Sequence, residues 1–134
     1  MQFLSFGSLN IDRVFEVDHV VRPGETIASH SMRVFGGGKG ANQAVAAAKL
    51  GAATTLIGRL GEDAFGDRLK AFLAAQRIDL SFVQATAGAQ TGTAVITLAN
   101  ADNTIVVIPG ANALVSAADI ASLVLAKGDV AVSQ

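Results

Sequence analysis

An α/β fold with a mostly parallel sheet, and a smaller β-sheet set apart from it, is the architecture this sequence predicts. Three observations predict it. First, short apolar runs alternate with segments of helical spacing, the pattern of a parallel sheet crossed by helices. Second, two pairs of extended segments lie outside that alternation, at about residues 14–35 and 93–108. Third, Gly36-Gly37-Gly38-Lys39-Gly40 runs straight into an alanine-rich stretch, a glycine turn opening a helix.

The elements follow in order. Phe3–Phe6 reads as a short buried strand that ends at Gly7. Val14–Val17 and Ile27–Phe35 read as extended, joined through the turn signal Arg22-Pro23-Gly24-Glu25. They are poorer in core residues than the first strand, which predicts a sheet of their own. A helix runs from about Gly40 to Leu50, with Gly51 suited to its C-terminal cap. Thr54–Ile57 is a short β-rich run. Phe65, Leu69, Phe72 and Leu73 give Asp63–Ala75 helical spacing. Thr93–Leu98 and Ile105–Ile108 flank Asn100-Ala101-Asp102-Asn103 and predict a hairpin. Ser116 with Asp119 three residues on resembles a capping box and predicts a helix to about Ala126. A last strand starts at Asp129.

Composition narrows the function. One domain is expected for 134 residues. Such a chain buries about 70% of its unfolded surface. The hydrophobic content of 51% is high for a domain of this size, partly through alanine, which suits tight helix–sheet packing. A net charge of −1 argues against nucleic acid, which demands a basic footprint. No cysteine is present, so disulfides and thiolate metal sites are excluded, and the two histidines are scattered. No metal ligands are proposed. The N-terminus has no basic region before its apolar residues, and no run approaches the ~20 apolar residues of a membrane span. The expectation is a cytoplasmic protein with no membrane partner.

Two clusters carry chemistry. In the glycine run, a bare backbone approaches a ligand closely, and the following helix turns its N–H groups and positive dipole end toward the same space. Lys39 adds a charge and Asn42 a donor and an acceptor. Something anionic, polyhydroxylated or both fits there. A phosphate-binding loop of the Walker type is excluded, because Gly40 follows Lys39 where Ser or Thr is required. A dinucleotide fingerprint fits only superficially: the loop does not follow the first core strand, and Arg59 stands where a ribose hydroxyl needs an acid. The second cluster is Asn10 and Asp12. Two apart in extended chain, they project to one side, and an amide beside a carboxylate can grip a vicinal diol. An Asx-rich loop capping its own backbone reads equally well from the spacing.

Taken together, the motifs are more specific than any one of them. Gly7-Ser8-x-Asn10-x-Asp12, Pro23-Gly24-Glu25-Thr26 and Gly37-Gly38-Lys39-Gly40-Ala41-Asn42-Gln43 lead the series. Lys49-Leu50-Gly51-Ala52, Ile57-Gly58-x-x-Gly61-x-Asp63-x-x-Gly66, Thr91-Gly92-Thr93-Ala94 and Gly110-Ala111-Asn112-Ala113 continue it. The combination resembles the ribokinase-like (PfkB) carbohydrate kinase family over almost the whole chain. The resemblance implies a central, mostly parallel sheet with helices on both faces and a small β-sheet lid, built from segments 14–35 and 93–108, with the sugar between them. It implies sugar-hydroxyl binding by Asn10 and Asp12, with Gly38, Lys39 and Asn42 lining the opposite wall. Asp63 and Gly66 are expected to shape a turn and a helix start.

The implied reaction moves the γ-phosphoryl group of ATP to a primary hydroxyl of a sugar such as D-ribose, with fructose or a nucleoside left open. ATP and Mg2+, with K+, are the implied cofactors, and a homodimer through the lid is the implied assembly. Such kinases are about twice this long. Their second half carries the catalytic aspartate, a magnesium-linked segment and the nucleotide pocket. Residues 1–134 therefore read as the sugar-binding part, truncated before the nucleotide-binding half, with no catalytic base of its own. This chain alone is expected to be inactive and, with its last strand open at the edge, to self-associate.

Overall fold

A computed structural model describes residues 1–134. Two four-stranded sheets form it. The first has the order β5-β4-β1-β8, from β1 (Phe3–Phe6), β4 (Thr54–Gly61), β5 (Asp79–Thr86) and β8 (Val130–Ser133), all parallel. The second has the order β3-β2-β6-β7, from β2 (Asn10–Glu16), β3 (Ser31–Gly37), β6 (Gly92–Ala99) and β7 (Asp102–Ile108). Its central pair, β2 and β6, is parallel, and its outer pairs are antiparallel. The early extended segments and the hairpin thus share one sheet.

Two α-helices, α1 (Lys39–Lys49) and α2 (Ala64–Ala75), pack on one face of β4. Leu56 and Leu60 point from that face into a core with Ala41 and Ala44 of α1 and Leu69 and Leu73 of α2. The other face of β4 carries Arg59 toward a pair of short 3-10 turns, Gly110–Leu114 and Ala117–Ile120. The alanines let α1 approach closely; Gly40 lies against the backbone of Gly7. Ser5 of β1 donates through its hydroxyl to the Gly40 carbonyl at 2.8 Å.

The same core reaches the second sheet through Leu9 and Ile11, both fully buried. Side chains alternate along extended chain, so burying Leu9 and Ile11 turns Asn10 and Asp12 to the other side. Asp63 caps α2: its Oδ1 accepts from the Gly66 amide at 2.7 Å. It also accepts from Thr91, from the amide at 2.7 Å and from the hydroxyl at 2.6 Å. The root of β6 is thereby tied to the start of α2.

Four expectations change. The strand expected from Val14 begins at Asn10, because Leu9 and Ile11 are drawn into the core. Ile27–His30 lies outside the strand that starts at Ser31, and Gly36 and Gly37 belong to its end. Asp79–Thr86 is a strand beyond those expected; it pairs at the sheet edge and buries little beyond Val83. The helix expected over 116–126 is a single 3-10 turn, Ala117–Ile120. Its capping box forms, but Val124 and Leu125 stay exposed and offer no packed face. A short helix without a packed face does not propagate.

Candidate sugar site

A cleft of about 360 Å3 opens between the second sheet and the start of α1. Asn10 and Asp12 reach it from β2, and Gly38, Lys39 and Asn42 from the glycine turn and the helix start. The five residues singled out in the sequence therefore border one space. Ala94 and Ile96 of β6 and Ile105 and Val107 of β7 form an apolar wall. Ser8 and Asn112 complete the polar side.

The turn is built around Gly38, whose φ of 91° is a conformation L side chains rarely adopt. It brings α1 up against the Ser8–Asn10 segment. Two first-turn amides are satisfied there: the Lys39 N–H donates to the Ser8 hydroxyl at 3.1 Å, and the Ala41 N–H to the Ser8 carbonyl at 3.2 Å. The helix start is therefore partly capped by the chain itself, and less of it is open to an anion than the sequence alone implied.

Lys39 is exposed at the first position of α1 and makes no ion pair. A cation there opposes the helix dipole. Asp12 lies against the backbone of Gly37, where any side chain would strike its carboxylate. Burial pushes its pKa up from the usual carboxylate value. The floor of the cleft thus holds a carboxylate that gains from a hydrogen-bond donor, beside an amide, under an apolar wall. That combination suits a polyhydroxylated ring with one polar edge and one carbon face.

Comparison with known proteins shows the family. The sequence pattern of the pfkB family carbohydrate kinases matches residues 2–132. The chain belongs to that family. Within the pfkB family, the ribokinase of Staphylococcus aureus (strain COL) is 41% identical over 116 residues, which are 85% of this chain and 38% of that protein. The ribokinase structure from Giardia lamblia superposes with a TM-score of 0.85 at 32% identity, covering 91% of this chain and 37% of that one. The Arabidopsis thaliana ribokinase complexed with ribose and ATP gives a TM-score of 0.74 at 37% identity, over 83% of this chain and 36% of that one. This pfkB chain thus spans less than two-fifths of the length of these relatives.

Sequence reasoning passed over Ser8, Asn112 and the apolar wall as site residues. The alternation of Ala94 with Ile96, and of Ile105 with Val107, carries the wall in principle. Which face of the hairpin meets the glycine turn depends on pairing between β2 and β6, strands about 80 residues apart. No helix is long and apolar enough to cross a membrane.

Proposed function

We propose that this chain supplies the sugar-binding part of an ATP-dependent sugar kinase, which transfers the γ-phosphoryl group to a primary hydroxyl of a sugar such as D-ribose. The observation that carries the reading is the convergence of Asn10, Asp12, Gly38, Lys39 and Asn42 on one cleft beneath the second sheet, which acts as a lid. Asp12 accepts from sugar hydroxyls, Asn10 and Asn42 donate and accept, and Gly38 lets the ring approach the backbone. Lys39 stands where it stabilises the charge of the transferring phosphoryl group. Positioning of this kind supplies much of phosphoryl-transfer catalysis.

ATP enters the reading from the Arabidopsis relative, whose structure is described with ribose and ATP. No group of three or more His, Cys, Asp or Glu side chains in this chain is placed to hold a metal ion. The chemistry the cleft residues contribute is binding and orienting the sugar. Val106 and Ile108, exposed on the face of the outermost lid strand turned away from the cleft, supply an apolar surface for the implied homodimer.

The direct test is Asp12→Ala in the whole protein. A hydrogen bond to a charged group contributes about 1.5–3 kcal/mol, so affinity for D-ribose, read by titration calorimetry, falls about tenfold to a hundredfold. Unchanged affinity with a collapsed melting temperature would make Asp12 a loop cap. The pH dependence follows from burial. The raised pKa means that Asp12 takes up its proton at a higher pH than an ordinary carboxyl, and the acceptor is lost with it. Sugar affinity therefore declines on acidification before ordinary carboxylates titrate, and Asp12→Asn removes that decline.

A further inference from the structure

We propose that Asn112 is a positioning residue that sets the hydrogen-bonding polarity of Asn10, making the Asn10 side chain a donor toward the sugar; this rests on the sugar-binding reading above.

Asn112 lies in the 3-10 turn after β7, 102 residues from Asn10. Its side chain pairs with the backbone of Leu9 at two points. Oδ1 accepts from the Leu9 N–H at 2.9 Å, and Nδ2 donates to the Leu9 carbonyl at 3.0 Å. This pairing orients the Asn112 amide, since an N–H needs an acceptor and a carbonyl needs a donor. The second hydrogen of Nδ2 is then aimed at Asn10, whose Oδ1 accepts it at 2.8 Å. With its oxygen held there, Asn10 keeps its own Nδ2 for the cleft. That group makes no hydrogen bond within the chain and is not among its buried, unpartnered atoms.

The contact is packed as well as bonded. A side chain at Gly92 would strike both the Asn112 amide nitrogen and Asn10 Oδ1, so glycine leaves the slot in which the two amides meet. The turn that carries Asn112 is anchored beside it: the Ala111 N–H donates to the Gln90 carbonyl at 2.8 Å, and Ala111 is fully buried. The cleft therefore presents a fixed donor at Asn10 next to a fixed acceptor at Asp12. One sugar hydroxyl accepts from the first while its neighbour donates to the second. Without Asn112, the Asn10 amide is free to turn and present either end.

A double-mutant cycle on the whole protein tests this, with D-ribose affinity read by titration calorimetry. Groups acting through one another are non-additive. Asn112→Ala should weaken D-ribose binding about tenfold alone, and less than about twofold in an Asn10→Ala background. Equal losses in both backgrounds overturn the proposal while leaving the sugar-binding reading intact. Absence of D-ribose binding to the unaltered protein overturns both. Asn112→Asp keeps the acceptor for Leu9 but removes both donors. Asn10 then turns its Nδ2 to the new carboxylate and shows its oxygen to the cleft, and the loss should match that of Asn10→Ala.

Should both variants fail to fold, NMR of the side-chain amides in the unaltered protein decides. On adding D-ribose the Asn10 Nδ2 protons shift, while those of Asn112 hold their positions and stay protected from solvent exchange. Asn112 protons that exchange as fast as those of exposed Asn103 overturn the proposal.

Discussion

Replacing Asp119 with alanine is expected to destabilise the fold by about 3 kcal/mol, read as a lower denaturant midpoint at unchanged slope. Asp119 is only 3% exposed, and its carboxylate takes two hydrogen bonds from one guanidinium. Arg59 Nη2 donates to Oδ1 at 2.7 Å and Nε to Oδ2 at 3.0 Å. The Ser116 N–H adds a third at 2.8 Å. Removing the acid leaves the Ser116 amide without its partner and a partly buried cation with only the Thr86 hydroxyl, at 3.3 Å from Nη1, the costly way to break such a pair. The figure sits at the low end of the usual 3–5 kcal/mol, because about a fifth of the Arg59 side chain remains in contact with solvent.

A joint replacement, Arg59→Leu with Asp119→Leu, should recover much of the loss, since it leaves no charge unpaired. Asp119→Ala with an unchanged midpoint would show that the pair holds nothing together. The pair fastens to β4 the 3-10 turn that follows the one carrying Asn112.

Acid should act on the same bond. The Arg59 hydrogen bonds outweigh burial and hold the Asp119 carboxyl below the ordinary 3.8. Burial opposes ionisation of Asp63 too, but the donors from Thr91, Gly66 and Phe65 outweigh it and lower its pKa. A carboxyl whose folded pKa is depressed adds stability above its unfolded value and loses it as pH falls through the folded one. The contribution of these two carboxyls should therefore be level down to about pH 4 and fall below it. Asp119→Asn should flatten that fall. An equally steep fall in that variant would assign the acid sensitivity elsewhere.

How much was legible in the sequence depended on how local the cause was. The glycine turn and α1 are encoded side by side, and the structure has them within one residue of expectation. The Asp63–Gly66 cap is equally local and forms. Where the cause is distant, the reading failed. The capping box at Ser116 is real, yet whether a helix grows from it depends on a surface to pack against. In this chain the Asp119 side chain is held not only by Ser116 but by Arg59, 60 residues away. The same holds within the cleft. Asn10 and Asp12 stand out because they are two apart in one strand, whereas Asn112 reaches them only through the pairing of β2 with β6 and β6 with β7. Its motif, Gly110-Ala111-Asn112, was visible without a role.

Gly38→Ala should cost about 3 kcal/mol or more and abolish sugar binding at ligand concentrations that saturate the unaltered protein. Two penalties add. The backbone at φ 91° and ψ 143° is one that non-glycine residues adopt only under strain, about 1–3 kcal/mol. The new methyl group also has no room: it would strike the Ser8 carbonyl and lie 2.8 Å from the Asn10 nitrogen. Those are backbone atoms of the segment that holds Asn10 and Asp12, so relief requires moving one wall of the cleft away from the other. Overpacking of this kind adds about 1–3 kcal/mol. The shift would also stretch the Lys39 and Ala41 amide bonds to Ser8. Gly24→Ala is the matched control. Its φ is 77°, but nothing lies within 4 Å of the position, so it should cost only the backbone penalty of about 1–2 kcal/mol and leave binding intact. If the two alanines destabilise equally and both variants bind D-ribose, close contact at Gly38 does not shape the site. A larger stability loss at Gly38, together with loss of binding, traces both effects to one cause, since the same backbone contact joins the helix start to the strand that carries Asn10 and Asp12.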